Sequence, residues 1–119
     1  FYSNMDKDRP IEEVCALLKS LLKDDANQII FCTGRVEDYR EKTIEQINKI
    51  LKGSKNIDID SCLYMRPKGD YRKDFMVKRD LYKRMIVDGF NPVLVLEDKI
   101  TVVEMWKEMG LKCLRVTGA

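Results

Sequence analysis

Val93-Leu94-Val95-Leu96-Glu97-Asp98 is a run of four apolar residues, two of them β-branched, followed at once by two acids. It reads as a short strand buried on both faces, because a strand with one wet face alternates polar and apolar residues. Carboxylates at the C-terminal end of a buried strand are costly unless something positive answers them. That end is also where ligands bind in open α/β sheets. The bland reading of the same letters is an ordinary strand-to-helix turn, with Asp98 capping a helix that resumes at Ile100.

The rest of the chain supplies the context. Ile11, Val14, Cys15, Leu18, Leu21 and Leu22 form one apolar stripe, which predicts a core-facing helix over residues 10–24, entered through Pro10 with Glu12 and Glu13 in its first turn. Gln28 to Cys32 reads as a strand ending in Thr33-Gly34-Arg35. A helix over 37–52 turns Ile44, Ile47 and Leu51 inward and stops at Gly53. Cys62 to Met65 is the next strand, with Arg66 at its end and a polar loop carrying Pro67 and Gly69 behind it. A helix over 74–87 closes at Gly89, a short helix lies near 100–109, and Cys113 to Val116 is a last strand. This alternation predicts an α/β fold, a three-layer α/β/α arrangement around a mostly parallel sheet. The series opens on a helix where a strand is normal, so a first strand is expected to be missing from the front.

A chain of 119 residues suits one domain, expected over 1–119 and incomplete at its N-terminus. No apolar run approaches the roughly 20 residues of a membrane span, and no signal-peptide pattern opens the chain. Cys15, Cys32, Cys62 and Cys113 form no CxxC pair and each lies in an apolar stretch. They read as buried reduced thiols, which points to the cytoplasm. With no histidine, His-based triads and Cys/His zinc sites are excluded. The net charge of +2 gives no whole-protein attraction to nucleic acid. The charge is uneven, however: Tyr64 to Arg84 holds eight basic and three acidic residues, an excess of +5 against −3 over the remainder. That segment is either a solvated helix face or a basic rim for a phosphorylated or polymeric anion.

Three strand ends thus bring Thr33-Gly34-Arg35, Arg66 and Glu97-Asp98 toward one sheet edge. A small hydroxyl, a glycine that lets backbone approach and two guanidiniums suit a phosphate oxyanion. The acidic pair suits a hard divalent cation, most simply Mg2+. Lys78 sits on the apolar stripe of its helix, three residues after Phe75 and three before Leu81. It is either a snorkelling lysine whose ammonium reaches water or a functional cation beside the anion site. In either case a methionine there is expected to keep the stem's packing and even to stabilise the domain slightly.

Thr33-Gly34-Arg35 followed by Glu37-Asp38-Tyr39-Arg40, the run Met65 to Asp74 leading to Lys78, and Glu97-Asp98-Lys99 followed by Val102-Val103-Glu104-Met105-Trp106 resemble the HAD phosphohydrolase superfamily. More narrowly, they look like the 3′-phosphatase domain of phage-type polynucleotide kinase and its stand-alone relatives, over essentially the whole chain. The resemblance implies a HAD-like, Rossmann-like fold and a Mg2+-dependent phosphomonoesterase acting on polynucleotide 3′-phosphate ends or nucleotides. By the same resemblance Thr33 hydrogen-bonds the phosphoryl group and Lys78 neutralises its charge. Arg35 supports that loop, Gly34, Arg35, Arg66, Arg72 and Asp74 bind substrate, and Glu97 with Asp98 holds Mg2+. Glu97 departs from the family, where an aspartate is more usual. The family's first motif, a strand ending in Asp-x-Asp, is absent; Asp6-Lys7-Asp8 has the letters but no apolar strand before it. The chain alone is therefore expected to lack turnover. Two alternatives stay open: a phosphate- or nucleic-acid-binding module without catalysis, and a plain α/β interaction domain. For a polynucleotide, Lys68, Arg72 and Lys73 are the candidates for upstream phosphates, with Tyr64 and Tyr71 the nearby aromatics.

Overall fold

The computed structural model describes residues 12–54 and 56–117, so Phe1 to Ile11, including Asp6, Asp8 and Pro10, lie outside the described residues. The elements follow in the order α1 (Glu12–Leu22), β1 (Phe31–Val36), α2 (Arg40–Ile50), β2 (Leu63–Arg66), α3 (Asp74–Val87), β3 (Leu94–Glu97), α4 (Ile100–Glu108) and β4 (Lys112–Arg115). Short 3-10 turns at Glu37–Tyr39 and Asp60–Cys62 lead into α2 and β2. β1 pairs with β2, and β3 pairs with β4 in a separate two-stranded sheet. The β3–β4 ladder is parallel, with Leu94 opposite Lys112 and Glu97 opposite Arg115. Parallel neighbours need a crossover, and α4 provides it.

The chain divides into two compact units. One contains α1, α2 and the 3-10 turn before β2. Its core uses Val14, Leu18 and Leu22 of α1 and Thr43, Ile47 and Ile50 of α2. Thr43 is tolerated in that core because its hydroxyl donates to the Tyr39 carbonyl at 2.8 Å. Arg40 clamps the turn from the same helix, pairing with Asp60 at 2.8 Å and donating to the Leu63 carbonyl at 2.8 Å.

The other unit holds residues 32–38 and 64–117. α3 buries Val77, Lys78, Leu81 and Met85 on one stripe, as the helical period requires. α4 buries Val102, Val103, Met105 and Trp106. Phe75, Tyr82, Val95 and Met109 pack against this cluster, and Tyr82 meets the Trp106 indole edge-on at 5.9 Å.

Four expectations need correction. β3 is not buried on both faces: Val93 is 75% and Leu94 53% exposed, and only Glu97 at its end is fully buried. An unbroken apolar run does not distinguish a covered strand from one with an open face. Thr33-Gly34-Arg35 lies inside β1 rather than past its end, because the strand begins at Phe31 instead of Gln28. Leu21 is exposed on α1. All four cysteines are free thiols, but only Cys62 is fully buried. No helix among the described residues is long and apolar enough to cross a membrane.

Candidate functional site

Thr33 Oγ1 accepts the backbone N–H of Arg35 at 3.1 Å. That bond uses an oxygen lone pair and leaves the hydroxyl hydrogen available to donate. Arg35 itself is half-buried in the same strand. The Gly34 carbonyl accepts Arg66 Nε at 2.8 Å. A Cβ built on Gly34 would lie 2.8 Å from Asp74 Oδ1. Close approach of the first residue of α3 is therefore what demands glycine here.

Arg66, at the end of β2, joins three pieces of the site. Nε reaches Gly34, Nη1 donates to the carbonyls of Asp70 and Arg72, and Nη2 donates to Asp74 Oδ1. Four of the five guanidinium N–H groups are thus committed to the protein. The structure places Arg66 as a brace between β1, the loop and α3, with one donor left over. Asp74 sits in the first turn of α3, where the helix dipole favours a carboxylate. Its second oxygen accepts Lys99 Nζ at 2.8 Å. Burial pushes the Asp74 pKa up, but the Lys99 hydrogen bond and the charges of Lys99, Lys78 and Arg66 outweigh it and hold it below the usual carboxylate value.

Lys78 does not snorkel. It is only 9% exposed, and its ammonium donates to both Glu97 oxygens, at 3.0 and 3.3 Å. Glu97 Oε1 also accepts the Trp106 indole N–H at 3.2 Å. Glu97 Oε2 accepts the backbone N–H groups of Asp98 at 3.2 Å and Lys99 at 3.4 Å. A carboxylate so surrounded is satisfied although buried. For Lys78, burial works against the charge, yet Glu97 more than compensates, so its pKa lies above the ordinary lysine value. Lys78 is held as an ammonium. Cys32, one residue before Thr33, is the opposite case: desolvation pushes its thiol up to about 12, which keeps it neutral and inert.

Asp98 is exposed, and it does not cap α4; the capping position is Lys99, without a side-chain bond. The Asp98 carbonyl accepts Arg115 Nε at 3.3 Å, while its carboxylate has no partner among the described residues. Among the described residues, no group of three or more His, Cys, Asp or Glu side chains converges there as a ready cation cage. Of the two acids expected to share a cation, Glu97 is occupied by Lys78, Trp106 and backbone N–H groups. Asp98 alone keeps an open carboxylate, a donor that suits a hard cation held otherwise by water and phosphate oxygens.

Arg72 is engaged too, with Asp70 at 2.8 Å and Asp80 at 2.8 Å. The Arg72 hydrogen bond holds the Asp70 carboxyl down to about 2. Lys68 and Lys73 are exposed and without an ion pair among the described residues. Within the other unit, Asp58-Ile59-Asp60 carries the Asp-x-Asp letters, but it enters a 3-10 turn ahead of β2 and Asp60 pairs with Arg40.

Thr33, Gly34, Arg35, Arg66, Arg72, Asp74, Lys78, Glu97 and Asp98 all fall in one compact unit. Sequence reasoning missed Trp106 and Lys99. The signal for Trp106 was a lone tryptophan on an apolar helix stripe, since a buried indole N–H must find an acceptor.

Helices alternating with short strands, with a hydroxyl on β1, a buried ammonium on α3 and an open carboxylate just past β3, define an α/β protein of HAD-like fold. The chain belongs to the family described as the polynucleotide kinase PNKP phosphatase domain, whose model matches residues 2–119. It is 29% identical over 112 residues to the "Putative bifunctional polynucleotide kinase/RNA ligase" of Autographa californica nuclear polyhedrosis virus, covering 93% of this chain and 15% of that protein. It also superposes on a chain of the solved Pnkp1/Rnl/Hen1 complex with a TM-score of 0.77 and 32% identity, covering 93% of this chain and 37% of the other. The chain thus spans a small part of the relatives it matches.

Proposed function

We propose that this chain forms the phosphoryl-binding body of a HAD-type phosphomonoesterase that acts on polynucleotide 3′-phosphate ends. The observation that carries the reading is Lys78, buried yet held charged by Glu97. Glu97 keeps the desolvated ammonium charged, and the Lys78 N–H not spent on Glu97 can meet negative charge that develops on a phosphoryl group. Phosphoryl transfer is largely positioning and charge stabilisation, and the site is built for both. The Thr33 hydroxyl donates to a phosphoryl oxygen, its own oxygen being pinned by the Arg35 N–H. Lys78 faces the charge that grows on the transferring group. Glu97 and Trp106 fix the pose of Lys78, and Arg66 with Asp74 sets the spacing between Gly34 and α3. Asp98 would hold Mg2+, which supplies further neutralisation of phosphoryl oxygens. Glu97 positions Lys78.

Family membership and the names of the relatives support a polynucleotide end over a small nucleotide, as do the free ammoniums of Lys68 and Lys73 on the loop that Arg66 ties to Gly34. A non-catalytic binding module is the second reading, favoured by the single open carboxylate at the end of β3. The test is phosphate release from a 3′-phosphorylated oligonucleotide, measured with the natural reading frame expressed whole and Mg2+ present. Release that falls by orders of magnitude in Lys78→Met and in Asp98→Asn, with 3′-phosphate binding kept in Asp98→Asn, supports the enzyme. Tight 3′-phosphate binding with no release supports the module. Release unaffected by both substitutions refutes the site.

A further inference from the structure

Tyr71 is 95% exposed, yet the backbone on either side of it is held by hydrogen bonds. Asp70 N–H donates to the Pro67 carbonyl at 3.1 Å, closing a turn in which Gly69 takes φ 80°. Asp70 Oδ1 accepts both the backbone N–H and the Nε of Arg72, at 3.1 and 3.0 Å. Arg66 Nη1 binds the carbonyls on either side of Tyr71, those of Asp70 and Arg72, while Nε of the same guanidinium holds Gly34. One planar group therefore spans the Thr33-Gly34-Arg35 segment and the backbone around Tyr71. The other aromatic of this region, Tyr64, is buried with its hydroxyl on Asp88 at 2.6 Å. Tyr71 makes no such contact, and the free ammoniums of Lys68 and Lys73 flank it in sequence.

An aromatic ring held in water on a rigid loop loses little freedom when something covers it. Cationic neighbours make the fitting cover a flat group joined to phosphates. We infer that Tyr71 is a stacking platform for a nucleobase within the last two nucleotides of a single-stranded 3′-phosphorylated polynucleotide, with Lys68 and Lys73 meeting its backbone. This rests on the proposed function and adds a base-recognising residue to it. Stacking is indifferent to which base is present, so the platform confers a preference for single-stranded ends over isolated phosphate, without sequence preference. A protein partner on the same ring is the competing occupant.

The experiment is fluorescence anisotropy with a short 3′-phosphorylated single-stranded oligonucleotide, set beside the same strand with abasic sugars at its last two positions and the same strand ending in a 3′-hydroxyl. Tyr71→Ala is expected to weaken binding of the intact strand about ten-fold, to leave the abasic strand unchanged, and to be rescued by Tyr71→Phe. An unchanged affinity of Tyr71→Ala for the intact strand overturns the inference and leaves the ring to a protein partner. A loss equal on intact and abasic strands overturns it as well. If the wild-type chain binds 3′-phosphate and 3′-hydroxyl strands equally, the proposed function itself fails, a result separable from the other two.

Discussion

Replacing Lys78 with methionine tests the buried pair directly. Judged from the apolar stripe alone, the change keeps the stem's packing and is harmless. The structure reverses that expectation, because the ammonium answers a carboxylate that is only 7% exposed. Methionine fills the volume but leaves Glu97 with the Trp106 indole and two backbone N–H groups as its remaining donors among the described residues. Removing one partner of a buried ion pair costs about 3–5 kcal/mol, most of it the penalty of a stranded charge. The Glu97 hydrogen bonds that survive place this case toward the lower end, about 3 kcal/mol. Urea unfolding followed by Trp106 fluorescence is well suited, since the chain has a single tryptophan and it touches the pair. In a double-mutant cycle, adding Glu97→Gln to Lys78→Met is expected to recover most of the loss, so that the two changes together cost far less than the sum of the two single changes. A Lys78→Met change within about 0.5 kcal/mol of wild type, or a Glu97→Gln change that adds to it instead of compensating, would show that the two groups are not the buried pair described.

Gly34→Ala is expected to weaken 3′-phosphate binding and lower stability together, since the added methyl meets Asp74 Oδ1 at 2.8 Å; Asp74→Ala on the same background should relieve the clash, and no relief refutes the close-approach argument. Single-stranded 3′-phosphorylated DNA should bind with a salt slope that falls by about 0.7 for each of Lys68→Gln and Lys73→Gln, whereas Arg72, already shared by Asp70 and Asp80, contributes no slope of its own. A salt-insensitive affinity would make the basic run a solvated face. The Cys32 thiol, ionising near 9 when unfolded and near 12 when folded, contributes stability that is complete below pH 9 and lost as pH rises toward 12, at up to about 1.4 kcal/mol per pH unit. Cys32→Ser should abolish that alkaline loss, and an unchanged profile would place the thiol in a wetter environment.

The helix over 74–87 was legible to the residue, because Phe75, Lys78, Leu81 and Tyr82 repeat at the helical period and Gly89 ends the pattern with φ 96°. Thr33-Gly34-Arg35 was legible as a motif but misplaced relative to its strand, since period-two alternation is too short-ranged to fix where pairing starts. The Lys78–Glu97 pair was not legible in the sequence. Two adjacent acids after an apolar run look alike whether they bind a metal or receive a lysine. The difference is made by Trp106, nine residues on, and by Lys78, nineteen residues back, whose meeting is set by packing of α3 and α4. The open face of β3 was illegible for a related reason: an apolar run records what a strand can bury, not what covers it.

The central claim is that Thr33-Gly34-Arg35 within β1 and the end of β3 recognise a terminal phosphate, and amide NMR reads those residues one by one. A 3′-phosphorylated oligonucleotide added with Mg2+ is expected to shift the backbone signals of Thr33, Gly34, Arg35, Asp98 and Lys99 and the Trp106 indole N–H, which reports on the Lys78–Glu97 pair. The same strand ending in a 3′-hydroxyl should leave those signals in place. Shifts confined to other residues, or identical for the two strands, would contradict the account.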